Sequence, residues 1–95
     1  MNKAEKHREI CEKLNEIYRK KNHDYGDSFG KQFEEYGLVS SAIRLEDKLN
    51  RFKNLIKNEA QVKDETIEDT LLDLANYAIM TVVELKLEGK ENAAN

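Results

Sequence analysis

The chain has no proline and no tryptophan, and only four glycines and one cysteine. Without proline, and with so little glycine, little interrupts helix formation, so a mostly helical protein is expected. One cysteine excludes an internal disulfide and points to a reducing compartment. No signal-peptide pattern and no apolar run of about 18 residues is present, so a soluble, cytoplasmic protein with no membrane partner is expected. The net charge is only −3, and no basic footprint for duplex nucleic acid is visible.

What is present is charge. Charged residues make up 37% of the 95 residues and hydrophobic residues 39%. This length holds one domain, 1–95, with a small polar tail at 89–95 expected to fray. So short and polar a chain buries a thin core, and self-association into a homo-oligomer is expected to supply missing burial. The fold class expected is all-α: a small bundle of three main helices, at about 3–21, 38–58 and 64–88. A short helical turn is expected near 31–36.

The segment 64–87 is the most apolar part of the chain. Ile67, Leu71, Leu74, Ala78, Val82 and Leu85 recur at helical spacing, and Leu72, Ala75, Ile79 and Val83 form a second stripe beside them. An apolar surface on two sides predicts a central helix surrounded by partners. At about 100° per residue, Glu65, Asp69, Asp73, Asn76, Met80 and Glu84 share the remaining side as a polar seam. Acids in the first turn suit the helix dipole, and Thr66 with Asp69 is a loose relative of the capping box. Asp73, two turns inside, has no such explanation. It implies either an internal salt bridge or a functional seam.

On the first helix, His7, Ile10, Leu14 and Ile17 form the core stripe, with Cys11 and Tyr18 on its flank. Residues 20–29, KKNHDYGDSF, follow as a dense cluster of polar and aromatic groups. Turn residues around Gly26 make it a helix–helix connector. Tyr25 and Phe29 exceed what a connector needs. With Lys21, Asn22, Asp24 and Ser28 they make a candidate nucleotide-binding set, aromatics covering base or ribose and lysine meeting phosphate. On the helix at 38–58, Ser40 or Ser41 is the candidate cap, and Ala42, Leu45, Leu49, Phe52 and Ile56 form the expected core stripe. Arg44, Asp47, Lys48 and Arg51 gather on another face. They form either a surface salt-bridge lattice or a site in which Asp47 faces the acidic seam and the three bases neutralise a polyphosphate.

The blocks YRKKNHDYGDSF, YGLVSSAIRLEDKLNRFKNL and DETIEDTLLDLANYAIM, in this order and spacing, resemble a phage and prophage family called nucleotide modification associated domain 1. The resemblance runs over about residues 18–84. That family is in turn similar to the MazG-like and dimeric dUTPase-like all-α NTP pyrophosphatases. Those proteins oligomerise, hold Mg²⁺ with an ExxE pair and an ExxD pair on successive helices, and hydrolyse nucleoside triphosphates. The resemblance places Asp73 at the aspartate of ExxD. Position 70 is threonine, so Asp69 stands in for the glutamate, and Glu46 and Asp47 are the only acids on the preceding helix.

The resemblance implies a Mg²⁺-dependent pyrophosphohydrolase in a bacterial host cytoplasm. Asp69, Asp73 and Asp47 would be catalytic, joined by Glu46 in holding the metal. The base would rest against residues 22–29, with Tyr25 stacking, and Asn76, Arg44, Lys48 and Arg51 would complete the nucleotide site. Basic residues in the place of acids also allow a non-catalytic nucleotide or signalling-nucleotide binder that sequesters its ligand. A structural or partner-binding subunit of a nucleotide-modification system is the third expectation.

Overall fold

The computed structural model describes residues 2–58 and 66–89. Among them the chain is all α-helical, with α1 (Lys3–Tyr25), α2 (Ser28–Tyr36), α3 (Leu38–Lys57) and α4 (Ile67–Glu88). The all-α expectation holds, and the boundaries move. The expected connector at 61–63, the acids Asp64 and Glu65, and the tail from 90 onward lie outside the described residues.

α1 begins where the Asn2 side chain accepts hydrogen bonds from the backbone N–H groups of Ala4 and Glu5, at 2.9 and 3.2 Å. It passes its expected end at 21 and continues to Tyr25, so Asn22, Asp24 and Tyr25 are helical rather than part of a connector. Gly26, at φ 59°, closes it in the left-handed region, as the sequence predicts. Asp27 repeats that conformation at φ 57°, which a residue with a Cβ seldom adopts. α2 therefore starts at Ser28, three residues before the turn expected there, and carries Phe29 with it.

Gly37 (φ 71°) separates α2 from α3. Ser40 and Ser41 do not cap α3; both lie buried inside it. Ser40 Oγ donates to the Gly37 carbonyl at 2.8 Å, a bond made backwards across the first turn. α4 starts with a full capping box, Thr66 Oγ accepting from the Asp69 N–H at 3.2 Å and Asp69 Oδ2 accepting from the Thr66 N–H at 3.3 Å.

α4 touches each of the other helices, most extensively α3, while α2 packs on both and α1 packs on α4 more lightly. The core is small. Among the described residues, Leu14, Phe29 and Phe33 are the buried hydrophobic ones, whereas Ser40, Ser41, Thr70, Asn76 and Thr81 are buried polar ones. α4 turns its polar seam inward, as an internal pairing of Asp73 requires, but of its two expected apolar stripes only Leu72, Leu74, Ala75 and Leu85 are half-buried and the rest face solvent. Ile67, Leu71, Ile79, Val82 and Val83 are between 40% and 48% exposed. α3 is rotated too: of its expected stripe Leu45 and Phe52 are half-buried, while Ala42, Leu49 and Ile56 are exposed. On α1, Leu14 is buried and Ile17 half-buried, but His7 and Ile10 face solvent. Both rotations have one cause. The inward groups of α4 find polar partners on α1 and α3, and an unpaired polar group in the interior costs more than an exposed aliphatic one.

The caps give a first test. Thr66→Ala should cost about 1 kcal/mol, roughly a 4–8 °C fall in Tm for a domain of this size. The Thr66 hydroxyl, then its N–H, hold the Asp69 carboxyl below its usual value. A depressed carboxyl pKa stabilises the fold above the unfolded-state value and loses that effect as pH falls through the folded-state value. The deficit of Thr66→Ala should therefore narrow between pH 6 and pH 3 in thermal melts; an unchanged deficit would exclude the Asp69 contact. A second test is Ser41, 1% exposed, whose Oγ has no hydrogen-bond partner among the described residues. Ser41→Ala should leave Tm unchanged or raise it, and a clear fall would show that the hydroxyl is bonded.

Candidate functional site

Tyr18, Lys21, Asn22 and Tyr25 share one face of α1 at spacings of three and four. Asp73, Asn76, Tyr77 and Met80 do the same on α4. These two faces meet around a cavity of about 90 Å³, closed at its ends by Ser28 and Phe29 of α2 and Arg44 of α3. Cofactor and ligand pockets commonly measure roughly 300–1,000 Å³. Space of this size takes part of a ring, so the remainder of a larger ligand would lie at the mouth.

One wall is a stack. The Phe29 and Tyr77 rings lie 5.9 Å apart and within 15° of parallel. The Arg44 guanidinium sits over both, 5.4 Å from the Phe29 centroid and 5.5 Å from that of Tyr77. Its Nε also donates to Gln32 Oε1 at 3.0 Å. Arg44 thus braces the aromatic wall while itself lining the cavity.

At the other side Asp73 faces two cations. Its Oδ1 lies 3.2 Å from Lys21 Nζ and its Oδ2 lies 3.1 Å from Lys48 Nζ. Three helices meet at this carboxylate. The internal-salt-bridge reading of Asp73 is what the structure shows, in a place that also lines the cavity. Beside it, Asn76 Nδ2 donates to the Leu14 carbonyl at 3.1 Å, a buried bond that ties α1 to α4. Tyr18 completes the polar wall. Burial, then the negative charges of Asp27 and Glu84, push its phenol pKa up, so it stays a neutral hydrogen-bond donor. Glu84 is itself raised, by burial first and then by Asp27, Glu88 and Glu34.

Seven residues of the nucleotide-binding set expected from sequence, Lys21, Asn22, Tyr25, Ser28, Phe29, Arg44 and Asn76, line this cavity. Lys48 joins them through Asp73. Asp24 does not; it points away on α1, where His23 Nδ1 lies 3.3 Å from its carboxylate. Arg51, one turn beyond Lys48, is half-buried but does not line the cavity. Tyr18, Tyr77 and Met80 also line it and were not in that set; the signal for Tyr77 was its place one turn after Asp73, next to Asn76 of the seam.

The acids assigned to Mg²⁺ are spread apart. Asp69 closes the capping box and also accepts from Thr66 Oγ at 2.7 Å. Glu46 and Asp47 are exposed on α3, which meets the seam with Lys48 instead. Among the described residues no group of three or more acidic, histidine or cysteine side chains is placed to hold a metal ion. Mg²⁺ wants near-octahedral oxygen ligation, and as a set these acids do not fit it. No helix among the described residues is long and apolar enough to cross a membrane.

No curated protein and no solved structure matches the chain. The model of one family, nucleotide modification associated domain 1, matches residues 21–85, which carry all of the cavity except Tyr18. The chain belongs to the nucleotide modification associated domain 1 family.

Proposed function

We propose that this protein binds a nucleotide in the cleft between α1 and α4. The observation that carries the reading is the convergence of Lys21 and Lys48 on one point beside an aromatic-walled cavity. A planar base rests against the Tyr25, Tyr77 and Phe29 side, where face-to-face and edge contacts with rings are favourable. Asn22, Ser28 and the neutral Tyr18 hydroxyl offer hydrogen bonds to base or sugar. Phosphate lies at the mouth on the two ammonium groups, which need no metal to attract it.

A finer reading is pyrophosphohydrolysis, in which water and a nucleoside triphosphate give a monophosphate and pyrophosphate. One observation favours it, the carboxylate of Asp73 in the cavity wall. Since the described acids do not assemble around it, binding without turnover is the function we assign.

We infer also that the working form is a homo-oligomer built on the outward side of α4, with a second copy as the occupant. Ile67, Leu71, Ile79, Val82, Val83 and Leu87 of α4 are 40–76% exposed, a run of large aliphatic side chains that a second copy would cover. The surface in question is a stripe of Ile, Leu, Val and Ala on one straight helix, and a twofold axis pairs such a stripe with itself.

Two measurements test these assignments. In thermal melts with ribo- and deoxyribonucleoside triphosphates, a ligand at 100 times its Kd should stabilise the fold by about 2.7 kcal/mol. The shift should persist in EDTA and be lost in Lys48→Gln. A shift that requires Mg²⁺ and comes with pyrophosphate release would replace binding by hydrolysis, and no shift with any nucleotide would refute the site. In sedimentation velocity the chain should run as a dimer or larger, and Ile79→Glu with Val83→Glu should yield a helical monomer. A wild-type chain sedimenting at 11.1 kDa would overturn the oligomer.

A further inference from the structure

Resting on the nucleotide-binding reading, we propose that Asp73 is an internal competitor for the ligand's phosphate: its carboxylate holds the seat that a phosphate takes between Lys21 and Lys48. The geometry is that of a bridged anion. Each ammonium meets a different carboxylate oxygen, at 3.2 and 3.1 Å, and the two lysines approach from different helices. A phosphate group presents several oxygens around one centre, so it satisfies the same pair of donors. The carboxylate is 28% exposed and its partner Lys48 24%, so this pairing is partly shielded from solvent, whereas Lys21, at 56%, reaches it from the open side.

Asp69 feels the charge of Lys21, but among the described acids only Asp73 is in contact with both lysines. Asp69, one turn earlier, is held by Thr66, and Glu68 lies 3.6 Å from Lys13. Two positive charges and one negative charge therefore meet at this point, and an incoming phosphate of up to two negative charges must displace the carboxylate or bear its repulsion. Asp73 thus sets the threshold of affinity. It admits ligands with enough phosphate charge to win both lysines and turns away neutral nucleosides and weakly charged anions. The consequence is opposite to that of a metal ligand, whose loss weakens binding of a phosphate held through the metal.

The test is calorimetric titration of inorganic pyrophosphate and of ATP and dTTP, in EDTA, into the wild-type chain, Asp73→Asn and Asp73→Ser. Serine gives a second neutral side chain should the asparagine variant fold poorly. Removing one like charge at contact distance, with solvent screening allowed for, should tighten pyrophosphate binding about tenfold. The gain should disappear when Lys48→Gln is added, because the seat then has one donor. A merely structural clamp would lower Tm and weaken or leave unchanged the affinity in both neutral variants, and that result overturns the proposal. The two readings fail separately. If wild type binds ATP or dTTP and the neutral variants bind pyrophosphate no more tightly, the competitor is wrong and the nucleotide site stands. If pyrophosphate binding tightens but no nucleotide binds, the phosphate seat stands and the nucleotide reading falls. If none of these ligands binds to any variant, both are refuted.

Discussion

Asp73 is a negative charge two turns inside the helix that every other helix touches. An acid there gains nothing from the helix dipole and costs helix propensity. It is tolerated because α1 and α3 each bring a lysine to it. Ion pairs exposed to this degree contribute on the order of 1 kcal/mol or less each. Their larger effect is on arrangement: an inward carboxylate dictates which faces of α1 and α3 turn toward α4. The Asn76 bond to the Leu14 carbonyl and the Arg44 bracket over Phe29 and Tyr77 follow the same register.

That register determines the rest of the molecule. With the seam inside, much of the aliphatic side of α4 is left outside, and α3 shows Leu38, Val39, Ile43 and Ile56 to solvent at 53–65% exposure. A single chain therefore builds a site at its centre and leaves its hydrophobic surface at its edge. In an assembly those roles are complementary. In the proposed assembly, burial between copies would supply the stability that the thin core of Leu14, Phe29 and Phe33 does not. The cleft stays free to keep polar groups that a fully apolar core would have to exclude.

The helices, and the clustering of several residues around the candidate cavity, were legible from sequence for the same reason, spacing. Tyr25 and Phe29 were singled out because a connector has no need of two aromatics, although all of that segment but Gly26 and Asp27 proved helical. The loop reading erred because turn residues were weighed by type. Asn22 and Asp24 are weak helix formers, but they lie in the last turns before Gly26, where such residues cost little. Tyr77 was missed because an aromatic at helical spacing between Leu74 and Met80 reads as core. Most instructive is α4. Periodicity located its apolar stripes correctly, yet a stripe records only that something must cover it. It does not say whether the cover comes from the same chain or from another copy. The face of α3 that meets the seam was equally beyond periodicity, because Lys48 and Leu49 lie about 100° apart on adjacent positions and only the partner's charge chooses between them.

The central claim is that the face shared by α1 and α4 receives a nucleotide, with its phosphates on Lys21 and Lys48. The most direct measurement is an amide and side-chain NMR titration of the isotope-labelled chain with dTTP and ATP in EDTA. The account predicts that the largest shifts fall on Tyr18, Asn22, Tyr25 and Tyr77, and on the Nζ resonances of Lys21 and Lys48, with little change along the outward side of α4. Saturable shifts concentrated elsewhere, or none at any concentration, would contradict it.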